Sequence, residues 1–162
     1  MQTFDVQLPE IFVQPGESRL VDEPAVLRTV LGSCVGVVFW IPALTIGALC
    51  HPMLPRLPAK HRSHAGSLHR YVDYTIQDVA RQLDRYGVER NLVHVKLFGG
   101  ADVLMVSDDR VRPTVGQMNC QVAFEVLAEE GFSVTASSLG GTRGVNIFFH
   151  TGTGEVLLRR LN

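Results

Sequence analysis

A stretch of 27 residues from Thr29 to Pro55 contains no Asp, Glu, Lys or Arg, and it constrains the fold more than any other part of the chain. An uncharged run of this length is long enough to cross a bilayer as a helix. Pro42 interrupts its middle and three glycines divide the rest, both of which oppose a helix, whereas the valine-rich sequence on either side of Pro42 favours strands. We therefore expect two buried strands here and no membrane-embedded segment.

The same stretch predicts a β-hairpin that brings a thiol and an imidazole together. Two apolar runs, Val35–Trp40 and Ile46–Cys50, flank the segment Ile41–Leu44, which has proline at its second position. A turn centred between the second and third residues of that segment places Cys34 opposite His51. Directly opposed Cβ atoms lie about 4.5 to 5.5 Å apart. At that distance the imidazole can take the thiol proton and leave a nucleophilic thiolate, so the pair predicts a Cys-His hydrolase.

Size and charge indicate one globular domain over residues 1–162. The chain is 46% hydrophobic with a net charge of −1, which supplies apolar material for a single core. Basic residues are scattered, so we expect no nucleic-acid partner. The N-terminal residues lack a basic start and an apolar signal core, which predicts a cytoplasmic protein. Three cysteines fit a reducing compartment as free thiols, and Cys34 and Cys50 are expected on opposite faces of the hairpin.

Strands and two helices alternate along the rest of the chain. Apolar positions recur on one helical stripe between Tyr71 and Tyr86, with Gly87 as a C-terminal stop, and a second helix is expected from Thr114 as N-cap to Gly131. A polar loop is expected from Arg56 to Arg70. The remaining strands are predicted at Thr3–Leu8, Ile11–Val13, Val26–Leu31, Leu92–Phe98, Phe132–Ser138, Val145–Thr151 and Val156–Leu161. Many strands with two helices indicate an α+β layered sandwich.

Several motifs together resemble the chemoreceptor glutamine deamidase family, CheD. The resemblance spans nearly the whole chain, and its most specific part is the combination of a Gly-Ser-Cys turn with a His-x-Met-Leu-Pro segment. It implies an α/β/β/α sandwich similar to the catalytic domain of cytotoxic necrotizing factor. The segment Val115–Asn119 looks like the family's Gly-x-x-Asn helix start. The other motifs are Leu31–Val37, His51–Pro55, Tyr71–Asp73, Lys96–Ala101 and Leu139–Gly144.

The resemblance also implies an activity and roles for residues. Such proteins hydrolyse glutamine side-chain amides on methyl-accepting chemotaxis receptors to glutamate and ammonia, and they resemble partners of CheC-type phosphatases. Cys34 matches the nucleophile and His51 the base. A threonine hydroxyl that orients the histidine matches Thr29, with Ser33 as the alternative. An extended step from Thr29 to Cys34 covers roughly 17 Å, so Gly32 and Ser33 must bend the chain; that turn is also a candidate oxyanion hole.

Other residues have simpler interpretations, and other functions stay open. Cys50 and Cys120 are expected to be small buried hydrophobes. His61, His64 and His69 lie in the polar loop without the cysteines or carboxylates of a structural zinc site, so we predict no metal and no cofactor. Two alternatives to deamidation are a regulatory binding partner of a CheC-type phosphatase with little catalysis, and a hydrolase of receptor glutamyl methyl esters, since the same nucleophile suits an ester.

Overall fold

The computed structural model describes residues 7–61, 67–103 and 112–162. These residues form nine strands and two α-helices. In chain order they are β1 Glu10–Phe12, β2 Ser18–Val21, β3 Val26–Leu31, β4 Val35–Ile41, β5 Ile46–Cys50, α1 Val72–Arg85, β6 His94–Gly99, α2 Val115–Glu129, β7 Val134–Leu139, β8 Val145–His150 and β9 Val156–Arg160.

The strands form two sheets that pack face to face. One sheet has the order β1-β3-β8-β9 and the other β2-β5-β4-β6-β7. Side chains such as Leu27 and Ile147 from the first sheet meet Val38 and Leu49 from the second, and these residues are almost fully buried. The opposite face of the five-stranded sheet is covered by both helices. The sheets are therefore layers around a shared apolar core, as alternation of side chains on each strand allows.

The predicted α+β sandwich is confirmed, with one difference in its layers. The resemblance implied helices on both outer faces. Among the described residues, α1 and α2 lie together on the five-stranded sheet, and the outer face of the four-stranded sheet exposes Phe12, Val30 and Leu157. The described order of layers is thus α/β/β.

The hairpin forms, but its predicted register is wrong by two residues. Ile41 pairs with Ile46 and Val37 with Cys50, so the loop contains four residues rather than two. The cause is local: residues 42–44 form a 3₁₀ turn, and Thr45 follows in the left-handed region with φ 53°. Continuing this register places Met53, not His51, opposite Cys34. A shift of two preserves the face of each side chain, because side chains alternate with a period of two.

The two helices begin and end close to the predicted positions. Tyr71 is the N-cap of α1, and Gly87 follows its end with φ +69°. The side chain of Thr114 caps α2 by accepting from the backbone N–H of Gln117, whose own side chain accepts from the Thr114 N–H. Within the described residues, neither helix has the length and hydropathy to cross a membrane.

Strand predictions were less complete. The strand Val26–Leu31 matches β3, and Ile46–Cys50 matches β5. Strand β2 is not predicted from the sequence; it is a four-residue strand on the edge of the five-stranded sheet and pairs with β5. The predicted strand Thr3–Leu8 lies outside the described residues, apart from positions 7 and 8, which are not in a strand.

Candidate active site

A hydrogen bond between the two sheets fixes the imidazole of His51. Thr29 lies on β3 of the four-stranded sheet, and His51 directly follows β5 of the five-stranded sheet. The Thr29 Oγ1 lies 2.7 Å from His51 Nδ1, and both side chains are almost completely buried. The backbone of His51 is held as well, since its N–H donates to the Glu17 carbonyl and its carbonyl accepts from the Gly16 N–H. The ring therefore has one defined position.

A third group determines which ring nitrogen of His51 carries the proton. The Thr29 hydroxyl donates to the backbone carbonyl of Val13 at 2.7 Å. A hydroxyl has one hydrogen to donate, so toward His51 it acts as an acceptor, and Nδ1 must carry the hydrogen. The other nitrogen, Nε2, then holds a free lone pair. This is the tautomer that a general base requires.

Burial keeps both members of the Cys-His pair uncharged in the free protein. Burial lowers the pKa of His51 to about 4, and the nearby backbone carbonyl of Val13, which favours the charged ring, opposes this only in part. Burial also raises the pKa of the Cys34 thiol, against a smaller lowering by its own backbone N–H. At neutral pH the resting site therefore holds a thiol and a neutral imidazole, not a preformed ion pair.

Cys34 lies in a turn through which the chain crosses from one sheet to the other. We call residues Gly32, Ser33 and Cys34 the cysteine turn; it connects the end of β3 to the start of β4. This turn is the bend expected between Thr29 and Cys34. Cys34 is half-buried and lines an open pocket of about 530 Å³. Most of the pocket wall is apolar, with Met53, Leu54 and Val103 among its residues.

The segment that carries His51 runs beside the cysteine turn. The backbone N–H of Val35, the residue after Cys34, donates to the carbonyl of Pro52, the residue after His51, at 3.3 Å. Cys34 packs at the edge of the core between the sheets, and His51 bonds to a strand across that same space. The two side chains thus belong to one face of the hairpin, offset diagonally instead of directly opposed.

Every carbonyl of the cysteine turn accepts a hydrogen bond. The donors all belong to the segment after β6 or to α2: the Ala101 N–H bonds the Gly32 carbonyl at 2.9 Å, the Asn119 side chain bonds the Ser33 carbonyl at 3.0 Å, and the Gly100 N–H bonds the Cys34 carbonyl at 2.8 Å. The C=O and N–H of one trans peptide unit point in opposite directions. The N–H groups of Ser33 and Cys34 are therefore turned away from these donors.

Asn119 was not assigned a function from the sequence, although the structure places it beside the site. Its Nδ2 donates to the Ser33 carbonyl and to the Met53 carbonyl, each at 3.0 Å, and its side chain is fully buried. A signal was present in the sequence, because helical spacing puts Asn119 on the same face of α2 as Ala123 and Val126. A polar residue on an apolar face needs partners.

The side chains of the other two cysteines are not among those that line this pocket. Cys50 is fully buried on the helix-covered side of the five-stranded sheet, opposite to the side of Cys34, as predicted. Burial raises its pKa to about 12. Cys120 is half-buried, and burial together with the charge of Asp102 raises its pKa. All three cysteines are free thiols.

The loop histidines have polar partners. His69 contacts the Ser18 hydroxyl and the Asp78 carboxylate, while His61 lies 3.4 Å from the Tyr71 hydroxyl. His64 lies outside the described residues. Across the ranges that the structure describes, no three His, Cys, Asp or Glu side chains come together as a metal site.

Comparisons with known proteins identify relatives over almost the full length. The family described as CheD chemotactic sensory transduction matches residues 53–160. The probable chemoreceptor glutamine deamidase CheD 2 of Geobacter sulfurreducens is 42% identical over 96% of this chain and 92% of its own length. A probable chemoreceptor glutamine deamidase CheD of Oleidesulfovibrio alaskensis is 35% identical over 98% of this chain and 76% of its own length.

A solved structure is similar in fold alone. The crystal structure of the Bacillus licheniformis hypothetical protein YfiH superposes with a TM-score of 0.52 at 13% identity, over 87% of this chain and 62% of that one. The similarity supports the two-sheet α+β architecture described above.

Proposed function

Because the chain belongs to the CheD chemotactic sensory transduction family, we propose that it is a protein-glutamine deamidase acting on chemoreceptors. The substrate is a glutamine side chain on a methyl-accepting receptor, and the products are glutamate and ammonia. The observation that carries the proposal is the chain of hydrogen bonds from Val13 through Thr29 to His51, which leaves Nε2 as a free base on the face of the hairpin that also carries Cys34.

The first half of the reaction forms a thioester. The Cys34 sulfur attacks the Cδ carbonyl of the glutamine while its proton passes to His51 Nε2. The carbonyl oxygen becomes an oxyanion, for which the N–H groups of Ser33 and Cys34 are the candidate donors. The imidazolium then gives its proton to the amide nitrogen, the C–N bond breaks, and ammonia leaves.

The second half regenerates the thiol. His51 Nε2 accepts a proton from water as the water oxygen attacks the thioester carbonyl. When the C–S bond breaks, the sulfur recovers that proton from His51, and a glutamate side chain is released. Thr29 acts throughout as a positioning residue, because its oxygen accepts the Nδ1 hydrogen and stabilises the imidazolium that forms in each half.

The low pKa of His51 supports a mechanism in which proton transfer accompanies attack. With a pKa of about 4, the resting His51 is a neutral imidazole that carries hydrogen on Nδ1 and none on Nε2, while the Cys34 thiol keeps its own proton. The charged pair forms only as the new C–S bond develops, when substrate fills the pocket and the oxyanion is being stabilised. This differs from the ground-state thiolate that the sequence alone suggested.

The test is conversion of glutamine in a purified receptor fragment, followed by mass spectrometry of its peptides and by ammonia release. We expect conversion by the natural protein and none by Cys34→Ser, which keeps the size of the side chain but removes the thiol. A matched fragment carrying glutamyl methyl esters separates the two hydrolase candidates, because ester hydrolysis releases methanol. No conversion of either fragment contradicts the proposal and leaves a binding partner of a CheC-type phosphatase as the function.

A further inference from the structure

The orientation of one peptide unit decides whether Cys34 has an oxyanion donor beside it. The Ser33 carbonyl and the Cys34 N–H belong to the same peptide unit, so a donor that holds the carbonyl on one side turns the N–H to the other. The donor in question is the side chain of Asn119, at 3.0 Å. The Cys34 N–H is bonded to the same Cα that carries the side chain with the sulfur. This N–H therefore lies beside the reacting atom.

We propose that Asn119 is a positioning residue that sets the Ser33–Cys34 peptide for oxyanion stabilisation. The inference rests on the proposed deamidase function and assigns a role that Cys34, His51 and Thr29 do not perform. Asn119 touches no reacting atom; it acts through the backbone of the cysteine turn.

The side-chain amide of Asn119 is fixed in one orientation. Its Nδ2 faces two carbonyl oxygens, those of Ser33 and Met53, so a flipped amide would place oxygen against oxygen at both contacts. Both Nδ2 hydrogens are used in these bonds. Asn119 is consequently not an oxyanion donor itself, although side-chain amides serve that purpose in other enzymes.

The other polar atom of the Asn119 side chain, Oδ1, indicates that the arrangement has a cost. Its Oδ1 is buried and has no hydrogen-bond partner among the described residues. Burying such an acceptor without a partner destabilises the folded protein, because its hydrogen bond to water is lost and is not replaced. An apolar side chain at this position on α2 would avoid the cost, whereas only a residue with two donors joins the cysteine turn to the segment after His51.

Two other contacts make the turn sensitive to this bond. Gly116, at the start of α2, lies against the carbonyls of Gly100 and Ala101, where even a Cβ atom would come within 2.6 to 2.8 Å. Gly100 and Ala101 in turn hold the carbonyls on either side of Ser33. The central peptide of the turn thus depends on Asn119, while its neighbours depend on backbone bonds.

The test compares two reactions of Cys34, deamidation and alkylation, of which only deamidation requires stabilisation of an oxyanion. Deamidation passes through an oxyanion, whereas alkylation by iodoacetamide displaces iodide and forms none. For Asn119→Ala and Asn119→Asp we expect kcat for a receptor fragment to fall about 100-fold or more, as for loss of one oxyanion donor. KM and the alkylation rate of Cys34 should stay within a few-fold of those of the natural protein. The reason is that His51 is held by the Thr29 hydroxyl and by the backbone of Gly16 and Glu17, none of which contacts Asn119 through a hydrogen bond among the described residues.

Controls separate this role from a structural one. Val122 lies about one turn beyond Asn119 on α2 and is part of the core. The variant Val122→Ala should therefore lose stability while keeping the natural kcat. Asn119→Ser retains one donor and should recover part of the rate; it also replaces the alanine variant if that variant does not fold.

The inference is overturned if Asn119→Ala or Asn119→Asp deamidates at the natural rate, or if the alkylation rate of Cys34 falls in proportion to the deamidation rate. These outcomes are distinct from failure of the proposed function, in which the natural protein itself does not release ammonia.

Discussion

The neutral state of His51 couples the stability of the protein to pH. The pKa is about 4 in the folded protein and 6.5 for an ordinary histidine, so between these values the unfolded chain binds a proton that the folded chain does not. The stabilisation is fully present above pH 6.5 and is lost as the pH falls toward 4. At 1.36 kcal/mol for each pKa unit, the full difference amounts to about 3 kcal/mol.

The variant His51→Asn isolates this contribution. Asparagine keeps a donor near the position of Nδ1, so the bond to Thr29 can persist, but it cannot titrate. Free energies of unfolding are measured with urea for both proteins at a series of pH values. All other groups titrate in both, so their difference reports His51: the advantage of the natural protein should shrink by about 2.5 kcal/mol from about pH 7 to about pH 4.5. Parallel curves would refute the argument that burial keeps this imidazole neutral.

The remaining predictions concern rates and packing. The acid limb of kcat/KM should lie near the pKa of His51, about 4, so activity should be nearly flat between about pH 5.5 and 7; a half-loss near 6.5 contradicts a buried neutral base. Thr29→Ser should keep most of the single-turnover rate. Thr29→Val should lose that rate. It should also lose about 2 kcal/mol or more of unfolding free energy, measured by urea titration, because the Val13 carbonyl and the Nδ1 of His51 lose their hydrogen-bond partner. A fully active valine variant would contradict the orienting role. Cys50→Ala should cost about 1 kcal/mol in stability and leave turnover unchanged; turnover loss matching that of Cys34→Ser would identify a different nucleophile.

Local patterns in the sequence determined much of the architecture. The apolar stripe of α1, the Thr114 cap of α2 and the uncharged strands β4 and β5 are readable because each reflects neighbours within a few residues. The short edge strand β2 was missed because four residues carry little periodicity. The register of the hairpin was misplaced because the left-handed conformation of Thr45, a non-glycine residue, is not encoded by a recognisable turn motif.

In the candidate site, too, some features can be predicted from the sequence and others depend on the tertiary structure. The types of residue at Cys34 and His51, and their places on one hairpin, follow from the sequence. The hydrogen bond between Thr29 and His51 joins different sheets, and the bonds of Asn119 join a helix to two loops. Only tertiary packing brings such distant groups together and excludes water from them, and that exclusion lowers the pKa of the histidine. Sequence thus specified which chemical groups are present, and the folded structure determined their protonation and direction, because both depend on neighbours that are remote along the chain.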